Sequence, residues 1–234
     1  MGLPLIPLQA PKKPLLSFST LGCPAWSLDQ IIQCAVVNGY QGLEIRGIQG
    51  ELNLPKIPMF SPDIVSSTKR KVLDAGLKIV NLGSSANMHF IEANKRKTNL
   101  DEAKKFIELA HELNCPFVRV FPNDLPKDQN EAKTVDIIIQ SLQELGDFSK
   151  GSGVRVLLES HGKVIKSDIL LHIMQSANHA QVGLVWDFFN MWSVTKEDPT
   201  MVYSRLKKYI LHTHIKDAHL HESGEEYTDR KSVV

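Results

Sequence analysis

Seven short apolar runs, starting near residues 15, 42, 77, 117, 154, 182 and 210, recur along the chain at intervals of roughly 26 to 40 residues. Between them lie stretches with apolar residues at helical spacing, such as Ile31, Ile32, Ala35 and Val36, or Ala103, Phe106, Ile107 and Ala110. Runs that are almost continuously apolar are buried on both faces, so they predict a parallel sheet covered by helices. The units are not similar to one another in sequence, which excludes a solenoid, and no Gly-rich dinucleotide fingerprint is present. The expected fold class is therefore α/β, a (β/α) TIM-type barrel lacking the eighth βα unit at the C-terminus. The stretch from His219 to Val234 is polar and unlike a strand–helix unit. The expected organisation is a proline-rich lead-in over residues 1–13, then a single barrel domain over 14–234 that is incomplete at its C-terminal end.

Local signals place the elements. Ser27 and Gln30 make a capping box for the first helix. Ser61-Pro62 reads as the start of the second helix, with Asp74-Ala75-Gly76 as its end. Strands are expected over Leu15–Thr20, Gly42–Arg46, Leu77–Leu82 and Phe117–Phe121. Further helices are expected over Asn99–Leu113, Glu131–Phe148, Ser167–Ala177 and Pro199–Lys208.

The charge balance narrows the partners. Lys and Arg number 27 against 26 Asp and Glu, a formal net charge of +1. Such a chain has no overall field to draw in nucleic acid or an anionic membrane. Three cysteines, Cys23, Cys34 and Cys115, show no paired spacing and suit a reducing compartment. No run approaches the roughly 18 apolar residues of a membrane span. The N-terminus is apolar but broken by Pro4 and Pro7 and lacks a basic leader region. A cytoplasmic protein is the expectation.

Three successive runs stop at a metal-capable group. Val154–Gly162 delivers Glu159 and then His161, and Gly183–Asp187 ends in Asp187. Ile210–Asp217 carries His212, His214 and Asp217. In an α/β barrel the carboxyl ends of the strands converge on one face. Adjacent strands lie roughly 4.8 Å apart, so Glu159, Asp187 and His214 can share one divalent ion. One imidazole with two carboxylates suits Mn²⁺, Mg²⁺, Co²⁺ or Zn²⁺. His212 and His214 share one side of their strand, and at most one of the two is expected to face the ion, the other being packed or facing substrate.

The segments Leu157-Leu-Glu-Ser-His-Gly162, Val185-Trp-Asp-Phe-Phe-Asn190 and His212-Thr-His-Ile-Lys-Asp-Ala218 resemble the xylose isomerase-like TIM barrel superfamily. That group holds sugar and sugar phosphate isomerases and epimerases, inosose dehydratases and endonuclease IV. The resemblance spans Ser17 to Ala218. It implies that Glu159, Asp187 and His214 are metal ligands, with Glu159 also the catalytic base. It further implies that His161, Asn190, His212, Glu44 and Arg46 line the substrate pocket. Asn190 stands where several members carry a histidine, a departure that argues against the endonuclease branch.

The activity so implied is a divalent-metal-dependent isomerase or epimerase acting on a small sugar, sugar phosphate or polyol through a metal-stabilised enediolate. The alternatives are an inosose-type dehydratase, a non-catalytic or truncated barrel, and a DNA-repair enzyme like endonuclease IV. No Gly-rich phosphate cradle is present, which points to an unphosphorylated substrate. The epimerase-like members use a second glutamate from strand eight, and the chain reaches Val234 before any such segment. Glu222, Glu225 and Glu226 are the remaining candidates. A seven-stranded barrel exposes two unpaired edges. The expectation is that a second copy of the chain, or the 1–13 or 219–234 segment, covers them.

Overall fold

In a computed structural model of the protein, residues 14–127, 130–216, 218–220 and 227–229 are described, the last two stretches as backbone only. The 1–13 lead-in, Asp217, Glu222, Glu225 and Glu226 lie outside the described residues. The seven apolar runs form one sheet of β1 (Ser17–Ser19), β2 (Gly42–Ile45), β3 (Lys78–Asn87), β4 (Phe117–Phe121), β5 (Arg155–Glu159), β6 (Val182–Asp187) and β7 (Ile210–His214). Every pair is parallel and the spatial order equals the sequence order. That order is a barrel's, not a doubly wound sheet's. Among the described residues no pairing joins β7 to β1, so the wall lacks one unit. Two short strands beyond it, β8 (Ala218–Leu220) and β9 (Tyr227–Asp229), pair antiparallel outside the main sheet.

The connecting helices are α1 (Leu28–Val37), α2 (Val65–Asp74), α3 (Ala93–Glu112), α4 (Glu131–Ser149), α5 (Ser167–Ala177), α6 (Phe188–Thr195) and α7 (Pro199–Leu206). The Ser27–Gln30 capping box forms on α1 as expected. Helix α2 departs from expectation: the Ser61 carbonyl accepts from Ile64 and Val65, so Ser61-Pro62 heads a turn and regular helix begins only at Val65. Strand β3 runs on through Gly83-Ser84-Ser85, which reads as a breaker in sequence. Pairing to β4 holds it, with Ser84 Oγ donating to the Arg119 carbonyl at 2.7 Å. Helix α3 starts six residues before the expected Asn99, over a polar turn that Arg96 ties to Glu144 of α4 at 3.0 Å. Helix α6, unforeseen, starts directly at the end of β6.

The strands sort their side chains by parity. Leu43, Ile45, Leu82, Val118, Val120, Val156, Leu158 and Leu184 face outward and join Phe106, Ile107, Ile138, Leu142, Leu170 and Ile173 in the sheet–helix core. Each such side chain contributes on the order of 1.5–3 kcal/mol by leaving water. The opposite parity faces the barrel axis and carries Ser19, Glu44, Asn81, Arg119, Glu159 and Asp187. Register brings these together across the sheet: Ser19 opposite Glu44, Glu44 opposite Asn81, and Asp187 opposite His214.

Candidate metal centre

Each polar group on the axis is set by its strand end. Glu159 is the last residue of β5 and is 4% exposed, and Asp187 closes β6 with no exposure at all. Ser160 ties the two ends together: its Oγ accepts from the Asp187 N–H at 2.9 Å. Asp187 is also the N-cap of α6, its Oδ1 accepting from Asn190 N–H at 2.9 Å. The cap anchors the carboxylate and turns Oδ2 to the interior, 2.7 Å from Lys216 Nζ. Lys216 also donates to Asn190 Oδ1 at 3.2 Å.

His214 lies between two carboxylates from opposite walls. Its Nδ1 is 3.3 Å from Glu159 Oε1 and its Nε2 is 2.8 Å from Glu44 Oε2. His212 reaches the same Glu44 oxygen at 3.1 Å, so both histidines of β7 face the axis and converge on β2. Glu44 is held further by Ser19 Oγ at 2.9 Å and Asn81 Nδ2 at 2.8 Å. On the far side of Glu159, Arg119 Nε lies 2.9 Å from Oε2. Glu159 Oε2 and Asp187 Oδ2 are thus close enough for ion pairing, yet both contacts are misaligned for a hydrogen bond. Two buried carboxylate oxygens without an aligned donor are what a cation would use.

The electrostatics follow from this burial. For Glu159 burial works to raise the pKa, but the His214 hydrogen bond and the charges of Arg119 and His214 outweigh it and hold the carboxyl at about 2. Glu44 is likewise held well below its ordinary range, against burial, by His214 and His212. For His214 burial favours the neutral ring, yet Glu44 and Glu159 raise its pKa to about 10. The ring is therefore a charged bridge between two carboxylates.

The donor set fits a divalent ion. One ligand atom each from Glu159, Asp187 and His214 lie within 4.8 Å of one another, and a second group joins Glu44, His212 and His214 at the same spacing. With Nε2–H donating to Glu44, the Nδ1 lone pair of a neutral His214 is directed to the Glu159–Asp187 side. A carboxylate that orients a ligand imidazole in this way is a usual part of metal sites.

Around this centre, His161 Nδ1 is 2.8 Å from Asn123 Oδ1, and Asn123 in turn donates to Asn87. Burial lowers the His161 pKa, so its ring is neutral. Arg46 donates to the Gly83 carbonyl and to Ser85 Oγ. It does not pair with Glu44. Arg119, Asn81, Asn123 and Lys216 escaped the sequence reading. Arg119 and Asn81 left a trace there, as polar residues inside otherwise apolar runs. Lys216 stood without a role inside the His212–Ala218 segment, and Asn123 left no trace.

A parallel sheet in sequence order, with its buried charges gathered at the strand carboxyl ends, defines a (β/α) barrel built around one polar axial site. A family model described as xylose isomerase-like TIM barrel matches residues 32–232, and the chain belongs to that family. Among curated proteins it is 27% identical over 213 residues to a 3-dehydroshikimate dehydratase of Neurospora crassa, a match covering 81% of this chain and 58% of the relative. The chain thus spans little more than half the length of that relative. Among solved structures it is similar to the zinc-bound IOLI protein, with TM-score 0.74, 18% identity, and 89% and 74% of the two chains covered. It is similar also to a D-tagatose 3-epimerase-like protein, with TM-score 0.71, 19% identity, and 90% and 77% covered. At these identities the structural likenesses speak to the fold. Among the described residues no helix is long and apolar enough to cross a membrane.

Proposed function

We propose that the chain is a divalent-metal-dependent isomerase or epimerase that moves a proton at the carbon next to a carbonyl in a small polyhydroxylated substrate. The observation that carries this reading is the convergence of Glu159, Asp187 and His214 from three consecutive strands. A cation held there would polarise the carbonyl and its neighbouring hydroxyl and so make the adjacent C–H more acidic. Glu159, one of the three groups of that centre, serves as the base toward the reacting carbon. His161, with Nδ1–H donating to Asn123, keeps Nε2 as an acceptor at neutral pH and serves as the second proton carrier. Asn190 and Lys216 bind substrate hydroxyls at the mouth.

Dehydration is the second reading, favoured by the 27% match to a 3-dehydroshikimate dehydratase. Loss of water from a β-hydroxy carbonyl compound begins with the same C–H removal and differs in expelling a protonated hydroxyl. One experiment separates the two. The metal-loaded protein is incubated in D₂O with a panel of ketoses and with 3-dehydroshikimate, and deuterium wash-in and product are followed by NMR. Deuterium exchange with retention of the hydroxyl supports the first reading, and net loss of water the second. A protein that binds metal but exchanges no C–H in any substrate, with Glu159→Gln as the blank, rules out both.

A further inference from the structure

Arg46 stands two residues after Glu44, on the same face of β2 and nearer the barrel mouth. Its backbone is pinned, since the N–H groups of Arg46 and Gly47 donate to Thr20 Oγ1 at 2.9 and 3.1 Å. Its half-buried side chain donates from Nη1 to the Gly83 carbonyl at 3.3 Å and from Nη2 to Ser85 Oγ at 2.8 Å. Both acceptors are neutral, and among the described residues Arg46 forms no ion pair.

Its immediate neighbour is a second guanidinium. A Cβ at Gly83 would lie 2.9 Å from Arg46 Cδ and 3.0 Å from Arg119 Nη2, so the missing side chain lets two cationic groups lie side by side. Arg119 is already committed to Glu159 and to the Ser84 carbonyl. Arg46 has five N–H donors and uses two. Burial, and then the charge of Arg119, push its pKa down, while the more distant charges of Glu102, Glu159 and Glu44 push it up without an ion pair to any of them. A planar cation with donors to spare, beside another cation and one contact removed from Glu159, is built for a bidentate anion.

We propose that Arg46 binds an anionic group of the substrate, a carboxylate or a phosphate, and so selects acidic over neutral polyols. This deepens the reading above, on which it rests for the identity of the pocket: the reacting carbon sits at the Glu159–Asp187–His214 centre, and the anion sits over β2 and β3. It makes simple neutral ketoses the poorer substrates.

The test titrates D-gluconate, D-glucitol 6-phosphate and D-glucitol calorimetrically into wild type and R46Q, each with and without Mn²⁺. At least one anion is expected to bind wild type roughly 10- to 100-fold tighter than D-glucitol, the worth of hydrogen bonds to a charged donor. The preference persists without metal and disappears in R46Q. Whichever anion binds better identifies the group as carboxylate or phosphate. R46M gives the same readout should R46Q fail to fold. Equal affinity for all three probes in wild type, or an anion preference that survives loss of Arg46, overturns the proposal. Arg46-dependent anion binding in a protein that takes up no metal leaves this inference standing and removes the metal-dependent reading. Metal uptake with no anion preference does the reverse.

Discussion

A cation that enters between Glu159, Asp187 and His214 must displace a proton, and the geometry says how strongly that proton is held. His214 is bridged by Glu44 at 2.8 Å and Glu159 at 3.3 Å, and its pKa stands at about 10. At pH 8 removing the proton therefore costs about 3 kcal/mol, on the order of a hundredfold in apparent metal affinity. Affinity should rise about tenfold for each pH step of one between 7 and 9 and level off near 10. Calorimetry of Mn²⁺ binding in buffers of different ionisation heat counts the protons directly, and about one should be released per ion at pH 8. Glu44→Gln keeps the shape and removes one of the two carboxylates that hold the proton. Proton release in that variant should fall well below one at pH 8, with a flatter pH dependence. Metal binding to wild type with no proton release at pH 8 would refute the bridge, or the role of His214 as a ligand.

Three further outcomes follow from the same contacts. Metal-free stability should peak on a plateau. The His214 contribution is full below its ordinary pKa of 6.5 and fades as pH rises through about 10, whereas that of Glu159 is full above 4.5 and fades as pH falls through about 2. Thermal melts from pH 2 to 11 would show it. Asp187→Asn should weaken metal binding by more than the roughly 10- to 100-fold expected for a supporting residue. It should leave α6 intact, because Asn caps as well as Asp, and circular dichroism beside metal titration reads both. Gly162→Ala should destabilise the loop that carries His161. Residue 162 has φ +69 and a Cβ there would run into the Asn123 carbonyl. A loss of about 1 kcal/mol or more in chemical denaturation is expected.

How much of this was legible depends on the range of the forces involved. The apolar runs reported burial on both faces, and burial of that kind needs helices on both sides of a strand or a closed wall. Glu159 and Asp187 were legible because a carboxylate that ends a buried run has few places to go except the site at the strand ends. Ser27–Gln30 was legible because a cap is a local hydrogen bond. The start of α2, the extension of β3 and the existence of α6 were not. The extension of β3 is decided by Arg119 across the sheet, whereas the start of α2 and the existence of α6 hang on single local bonds, to the Ser61 carbonyl and the Asp187 cap, that no apolar stripe in the sequence announced.

The sequence by itself determined the repeated strand–helix units, their parallel order and three of the groups on the axis, because hydrophobic period and strand-end residue types are properties of short segments. Only the tertiary structure decided the partners of those groups. Glu44 and His214 are 170 residues apart in the chain and 2.8 Å apart in space. Arg119 and Glu159 meet from neighbouring strands, while Arg46 is left beside Arg119 with neutral acceptors only. Which charge neutralises which is settled by register and by the curvature that brings the side chains of β7 onto those of β2. No local pattern encodes it, since an Arg or Glu on a strand looks the same in sequence whether its partner is a neighbour, a metal or a substrate.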